Sequence, residues 1–138
     1  MDRIKRRLRM LPAWIMSEIT LVIILWLTLA PDPLGKEEIP IFPGADKIVH
    51  GLMFGFLTFV ILLDWARGRD FASVRWPVCL AAALFSTAVG TGIEFLQRSM
   101  HMGRSFEIWD MVADAIGSFA VGSAWIVAEH CRKRHRAN

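Results

Sequence analysis

Four apolar stretches, near residues 13–30, 46–65, 76–97 and 108–127, alternate with polar or proline-rich segments along the chain. Each approaches the roughly 20 apolar residues that a helix needs to cross a bilayer core, so the pattern predicts four membrane helices. Residues 31–45, PDPLGKEEIPIFPGA, hold four of the six prolines. Proline lacks the backbone N–H that a helix interior uses, so the first connection is a loop. Arg67, Arg69, Asp70 and Arg75 mark the second connection, and Arg98 to Glu107 the third. Small residues recur inside the spans at helical spacing. Gly51 and Gly55 stand four apart, and Ala82, Ser86 and Gly90 form a row whose next member is Glu94. In the fourth span Asp110, Asp114 and Gly117 share one side, followed by GSFAVGSA. Such stripes let helix backbones approach closely and turn the carboxylates into the bundle rather than into lipid.

Composition strengthens the membrane reading. The 138 residues, enough for one domain, are 54% hydrophobic, with a mean hydropathy of +0.41, which is too apolar for an ordinary soluble fold of this size. Twelve of the sixteen lysines and arginines lie before Pro12, between Arg67 and Arg75, or after Cys131, leaving Lys36, Lys47, Arg98 and Arg104 for the opposite side. By the positive-inside rule both termini are cytoplasmic and residues 31–45 and 98–107 are external. The basic clusters are short and abut apolar segments, which speaks against nucleic acid as a partner; His130 and His135 in the tail suit anionic lipid. The expected organisation is a basic cytoplasmic stretch at 1–12, a first transmembrane helix at 13–30, a three-helix core at 46–128 and a basic tail at 129–138. The fold class is an all-α, integral-membrane four-helix bundle. The first helix reads as a retained anchor rather than a cleaved signal, because its apolar stretch is long and no small-x-small site follows. Glu18 near its start reads as an interfacial charge, and most of the six tryptophans lie near span ends, as an interfacial belt. Cys79 in the membrane and Cys131 in the reducing cytoplasm do not make a disulfide, and neither stands in a zinc-site spacing.

The topology gathers Asp46, Lys47, His50, Glu94, Gln97, Arg98, Arg104, Asp110 and Asp114 at the outer end, while the inner end keeps Glu18 and Asp64. A charge at the centre of a span costs about 2.5 kcal/mol or more, so ionisable groups there face a protein interior and mark a site by default.

Asp46-Lys47-x-x-His50, Glu94-x-x-Gln97, Arg104 and Asp110-x-x-x-Asp114-x-x-Gly117, in this order, resemble the VanZ-like family of integral membrane proteins over about residues 46–122. The family pattern carries Asn where this chain has Asp114, which here adds a carboxylate. The resemblance implies a small four-helix protein of the bacterial cytoplasmic membrane, multi-pass and associated with the cell envelope. The family's namesake lowers susceptibility to the glycopeptide teicoplanin. It implies no settled reaction.

Three roles fit the cluster. In the first, it binds or modifies a lipid-linked envelope glycan or a phospholipid head group. His50, Glu94, Asp110 and Asp114 are then the candidate catalytic acid/base groups, and Asp46, Lys47, Gln97, Arg98 and Arg104 the candidate substrate-binding groups. In the second, the charges neutralise one another and only hold the helices together, as in a structural or accessory subunit. In the third, Asp46, His50, Glu94, Asp110 and Asp114 form a divalent-cation site or proton relay, although no ligand spacing assigns a metal and Lys47 and Arg104 oppose one. Ser99 and Ser105 lack the setting of a nucleophile, and His101 between Met100 and Met102 reads as loop surface. The pattern names no cofactor, and membrane lipids are the partner it implies. The small-residue stripes serve contacts within or between chains equally well.

Overall fold

The structure is a computed structural model that describes residues 11–12, 14–30, 44–100 and 107–137. Among these are four α-helices and no strand: α1 (Ile15–Leu29), α2 (Ala45–Arg67), α3 (Trp76–Met100) and α4 (Ile108–Ala137). Gly44 starts α2 from a left-handed conformation with φ 89°, which favours glycine. Pro77 lies in the first turn of α3, where its missing N–H would have had no helical acceptor.

Three helices, α2, α3 and residues Ile108–His135 of α4, are long and apolar enough to cross a membrane. The 15 residues of α1 form a shorter apolar helix, about 22 Å long. A fourth full span, expected over 13–30, is therefore not matched by the described part of that helix. The basic tail is helical through Ala137. Residues 129–137 continue α4 rather than leaving it, because after Gly122 the chain offers no glycine or proline, and Ala, Glu, Lys and Arg are strong helix formers.

The helices α2, α3 and α4 pack mutually, and α1 lies against α2 and α3. The α2–α4 contact is backbone on backbone. A Cβ added at Gly117 would overlap the Gly51 carbonyl, and one at Gly55 would stand 3.0 Å from the Gly117 carbonyl oxygen. The predicted small-residue face of α3 is buried throughout, with Ala82, Ser86, Gly90 and Glu94 all inside. On α4 the facing row is Asp110, Asp114, Ser118 and Gly122, with a Cβ at Gly122 reaching within 3.3 Å of the Cys79 carbonyl oxygen. Ile24, Phe54, Leu57 and Ile93 seat α1 on α2 and α3, and a second apolar cluster of Leu62, Ala66, Val74, Cys79 and Ala82 fills the end where α2 terminates.

That end also holds a buried clamp. Asp64, 3% exposed, accepts hydrogen bonds from the Ser17 N–H at 2.9 Å and the Ser17 hydroxyl at 2.8 Å. It thereby satisfies a first-turn amide of α1 that has no helical partner. Arg67 pairs with the same carboxylate at 2.8 Å and donates to the carbonyls of Leu11 and Pro12 at 2.7 and 2.6 Å. Glu129 accepts from the Ser73 hydroxyl at 2.8 Å and from Arg132, tying α4 to the α2–α3 connection.

Candidate functional site

The first turns of α2 carry Asp46, Lys47 and His50, those of α4 carry Asp110 and Asp114, and the late turns of α3 carry Glu94. All six lie at the end of the bundle opposite the Asp64 clamp. Lys47 Nζ stands 2.8 Å from Asp46, 2.7 Å from Glu107 and 3.5 Å from Asp110 Oδ1, the last an ion-pair distance too long for a good hydrogen bond. Deeper in, His50 Nδ1 is 3.1 Å from Asp114 Oδ1. A neutral imidazole with its proton on Nδ1 donates there and keeps Nε2 as an acceptor. The ring is also stacked on Phe54, with centroids 6.3 Å apart.

Asp114 is 0% exposed, and its carboxylate occupies the space a side chain at Gly90 would need. Gly90 thus makes room on α3 for the carboxyl group of Asp114. Glu94 is 2% and Asp110 8% exposed. A ring nitrogen of His50, a carboxylate oxygen of Glu94 and one of Asp110 lie within 4.8 Å of one another. Among the described residues, the buried Glu94 Oε2 and Asp114 Oδ2 have no hydrogen-bond partner, and Asp110 Oδ1 has none beyond its 3.5 Å ion-pair contact with Lys47. Buried polar atoms are nearly always satisfied, and each one left over costs about 1–3 kcal/mol, more for a charged group. The centre of the cluster holds acceptor oxygens that the donors of the described residues leave unanswered.

Four residues expected to carry chemistry, His50, Glu94, Asp110 and Asp114, therefore meet, and Asp46 and Lys47 form their rim. Gln97 turns elsewhere: its Nε2 donates to the Thr28 carbonyl at 2.7 Å and fastens the end of α1 to α3. Arg98 is exposed at the end of α3. Arg104 lies outside the described residues. Glu107 is the member that sequence reasoning missed. It directly precedes α4, where a carboxylate is favoured by the helix dipole, and that position was the available signal.

An apolar groove of about 840 Å³ runs beside the cluster along α2 and α4. Leu52, Phe56, Phe59, Ile116 and Val121 contribute its apolar walls, Gly51, Gly55 and Gly117 its floor, and Lys47 stands at its polar end. Lys47 is thus shared between groove and carboxylates.

No curated protein and no solved structure matches the chain. The sequence profile of the VanZ/LLP1 family matches residues 3–128, which takes in α1, α2, α3 and most of α4. With a match of that extent, the chain belongs to the VanZ/LLP1 family.

Proposed function

We propose that the protein binds a lipid-linked component of the bacterial envelope, holding the lipid chain in the α2–α4 groove and the head group over the cluster of His50, Glu94, Asp110 and Asp114. The observation that carries this reading is the position of Lys47, which lines the apolar groove and pairs with Asp46, Glu107 and Asp110. A phosphate at the membrane surface finds its positive charge at such a junction. Carboxylates beside it accept hydrogen bonds from sugar hydroxyls. In the orientation that the basic clusters favour, this end faces the outer leaflet, where lipid-linked glycans are displayed.

The arrangement also supplies the parts of a proton carrier. Asp114 fixes the ring of His50, whose second nitrogen is left to exchange a proton with a bound hydroxyl, as general acid–base chemistry requires. A purely structural cluster would satisfy its own charges; the buried Glu94 Oε2 and Asp114 Oδ2, without a hydrogen-bond partner among the described residues, speak against that role.

The test separates charge from shape. Glu94→Gln and Asp110→Asn keep volume and remove charge, while Ile116→Trp narrows the groove from its exposed wall. Normal membrane abundance and thermal stability with altered teicoplanin susceptibility in all three variants supports the reading. Unchanged susceptibility, or loss that follows unfolding alone, returns the cluster to a structural role.

A further inference from the structure

We infer that His50, Glu94 and Asp110 bind one divalent transition-metal cation, of the Zn²⁺ or Mn²⁺ class, with Asp114 orienting His50 from behind. The inference goes beyond the head-group reading and stands without it.

Convergence comes first. The three donors arrive from three different helices, and their ligand atoms lie within 4.8 Å of one another. Ligands at about 2.0–2.2 Å from a shared ion stand some 3–3.6 Å apart, which side-chain adjustment of about 1 Å reaches from here. The second observation is independent of the acidic count. Glu94 is 2% exposed and its Oε2 has no hydrogen-bond partner among the described residues, while Asp110 Oδ1 meets Lys47 only at the longer ion-pair distance of 3.5 Å. A carboxylate placed only to hold helices together would not leave such an oxygen unanswered in a residue that also converges with an imidazole.

The imidazole itself is set up as a ligand. Its Nδ1 faces Asp114 at 3.1 Å, which reproduces the carboxylate–histidine arrangement that fixes ring orientation and raises basicity behind a metal. Nε2 is then the nitrogen left to coordinate, and with a metal bound it no longer exchanges a proton. Lys47, an opposing charge, is closer to Asp46 and Glu107, at 2.8 and 2.7 Å, than to Asp110 at 3.5 Å, so its ammonium is held toward the rim. A donor set of one nitrogen and two carboxylates suits zinc or manganese better than calcium, which takes six to eight oxygens. A second acidic grouping, Asp46, Glu107 and Asp110, shares Asp110 but is filled by the Lys47 ammonium.

Metal binding is measured on the full chain purified in detergent and stripped with chelator, without added lipid, so that its outcome is independent of the head-group reading. Substitutions His101→Ala, His130→Ala, Cys131→Ser and His135→Ala first remove other ligand types. Titration with ZnCl₂ by calorimetry, and with MnCl₂ by electron paramagnetic resonance, is expected to give one equivalent per chain. Glu94→Gln and Asp110→Asn, each kept if it remains monodisperse and helical, should weaken binding at least 100-fold, and Asp114→Asn about 10–100-fold. No saturable equivalent in the background protein overturns the inference. So does binding that a folded Glu94→Gln or Asp110→Asn variant leaves unchanged.

Discussion

Replacing Gly117 by alanine tests the contact on which the site depends. The added methyl would overlap the Gly51 carbonyl, with the Gly51 Cα also inside normal contact distance. Both obstacles are helix backbone and cannot rotate aside. To restore ordinary contact, α2 and α4 must part by on the order of 1 Å. Overpacking of that kind costs about 1–3 kcal/mol, expected as a fall of about 4–10 °C in the unfolding midpoint. The same displacement stretches the 3.1 Å contact between His50 and Asp114 beyond hydrogen-bonding range. Gly92→Ala is the matched control, because a Cβ there meets nothing within 4 Å and alanine is favoured in a helix by about 0.5–1 kcal/mol. The assay is tryptophan-fluorescence melting of both variants in the same detergent, paired with metal titration. Equal stability of Gly117→Ala and Gly92→Ala, or an unaltered site in the former, refutes the reasoning.

Three further outcomes are expected. Gly90→Ala should displace the Asp114 carboxylate, so metal affinity is expected to drop by more than tenfold while helicity by circular dichroism holds; retention of full affinity would contradict the packing. Asp64→Ala leaves Arg67 buried beside an empty space, and breaking such a pair costs about 3–5 kcal/mol; thermal melting should show it, and a melt like that of the parent would dismiss the clamp. A reporter fused after Asn138 should read cytoplasmic and one within 36–42 external, and the reverse pair of signals would invert the assigned orientation.

Which end of the bundle holds His50, Glu94, Asp110 and Asp114 was legible, because position along a helix follows from counting along an apolar span. Thus Glu94, eleventh-hour member of the Ala82–Ser86–Gly90 row, was legible as an inward carboxylate, and His50, Asp110 and Asp114 as its neighbours. Azimuth was less legible. Gln97 shares the depth of the site yet points to Thr28 on α1, a choice fixed by where α1 docks rather than by any local pattern. Asp64 and Arg67 read as a leftover acid and one charge of a basic loop, whereas tertiary packing makes them a buried pair that caps α1 and its preceding carbonyls. The helix α4 runs past the apolar stretch that ends near Val127, since falling hydropathy marks where an apolar stretch stops, not where a helix does.

The tight seam between α2 and α4 has a consequence for how the chain is made. His50 and Asp114 are 64 positions apart, and at ribosomal rates of about 5–20 residues per second the first waits several seconds before the second exists. During that interval the glycine face of α2 and its Asp46, Lys47 and His50 end have no α4 to meet. Membrane insertion therefore has to shelter a half-built polar surface until the last helix arrives, and a ribosome pausing between α3 and α4 lengthens its exposure to the insertion machinery.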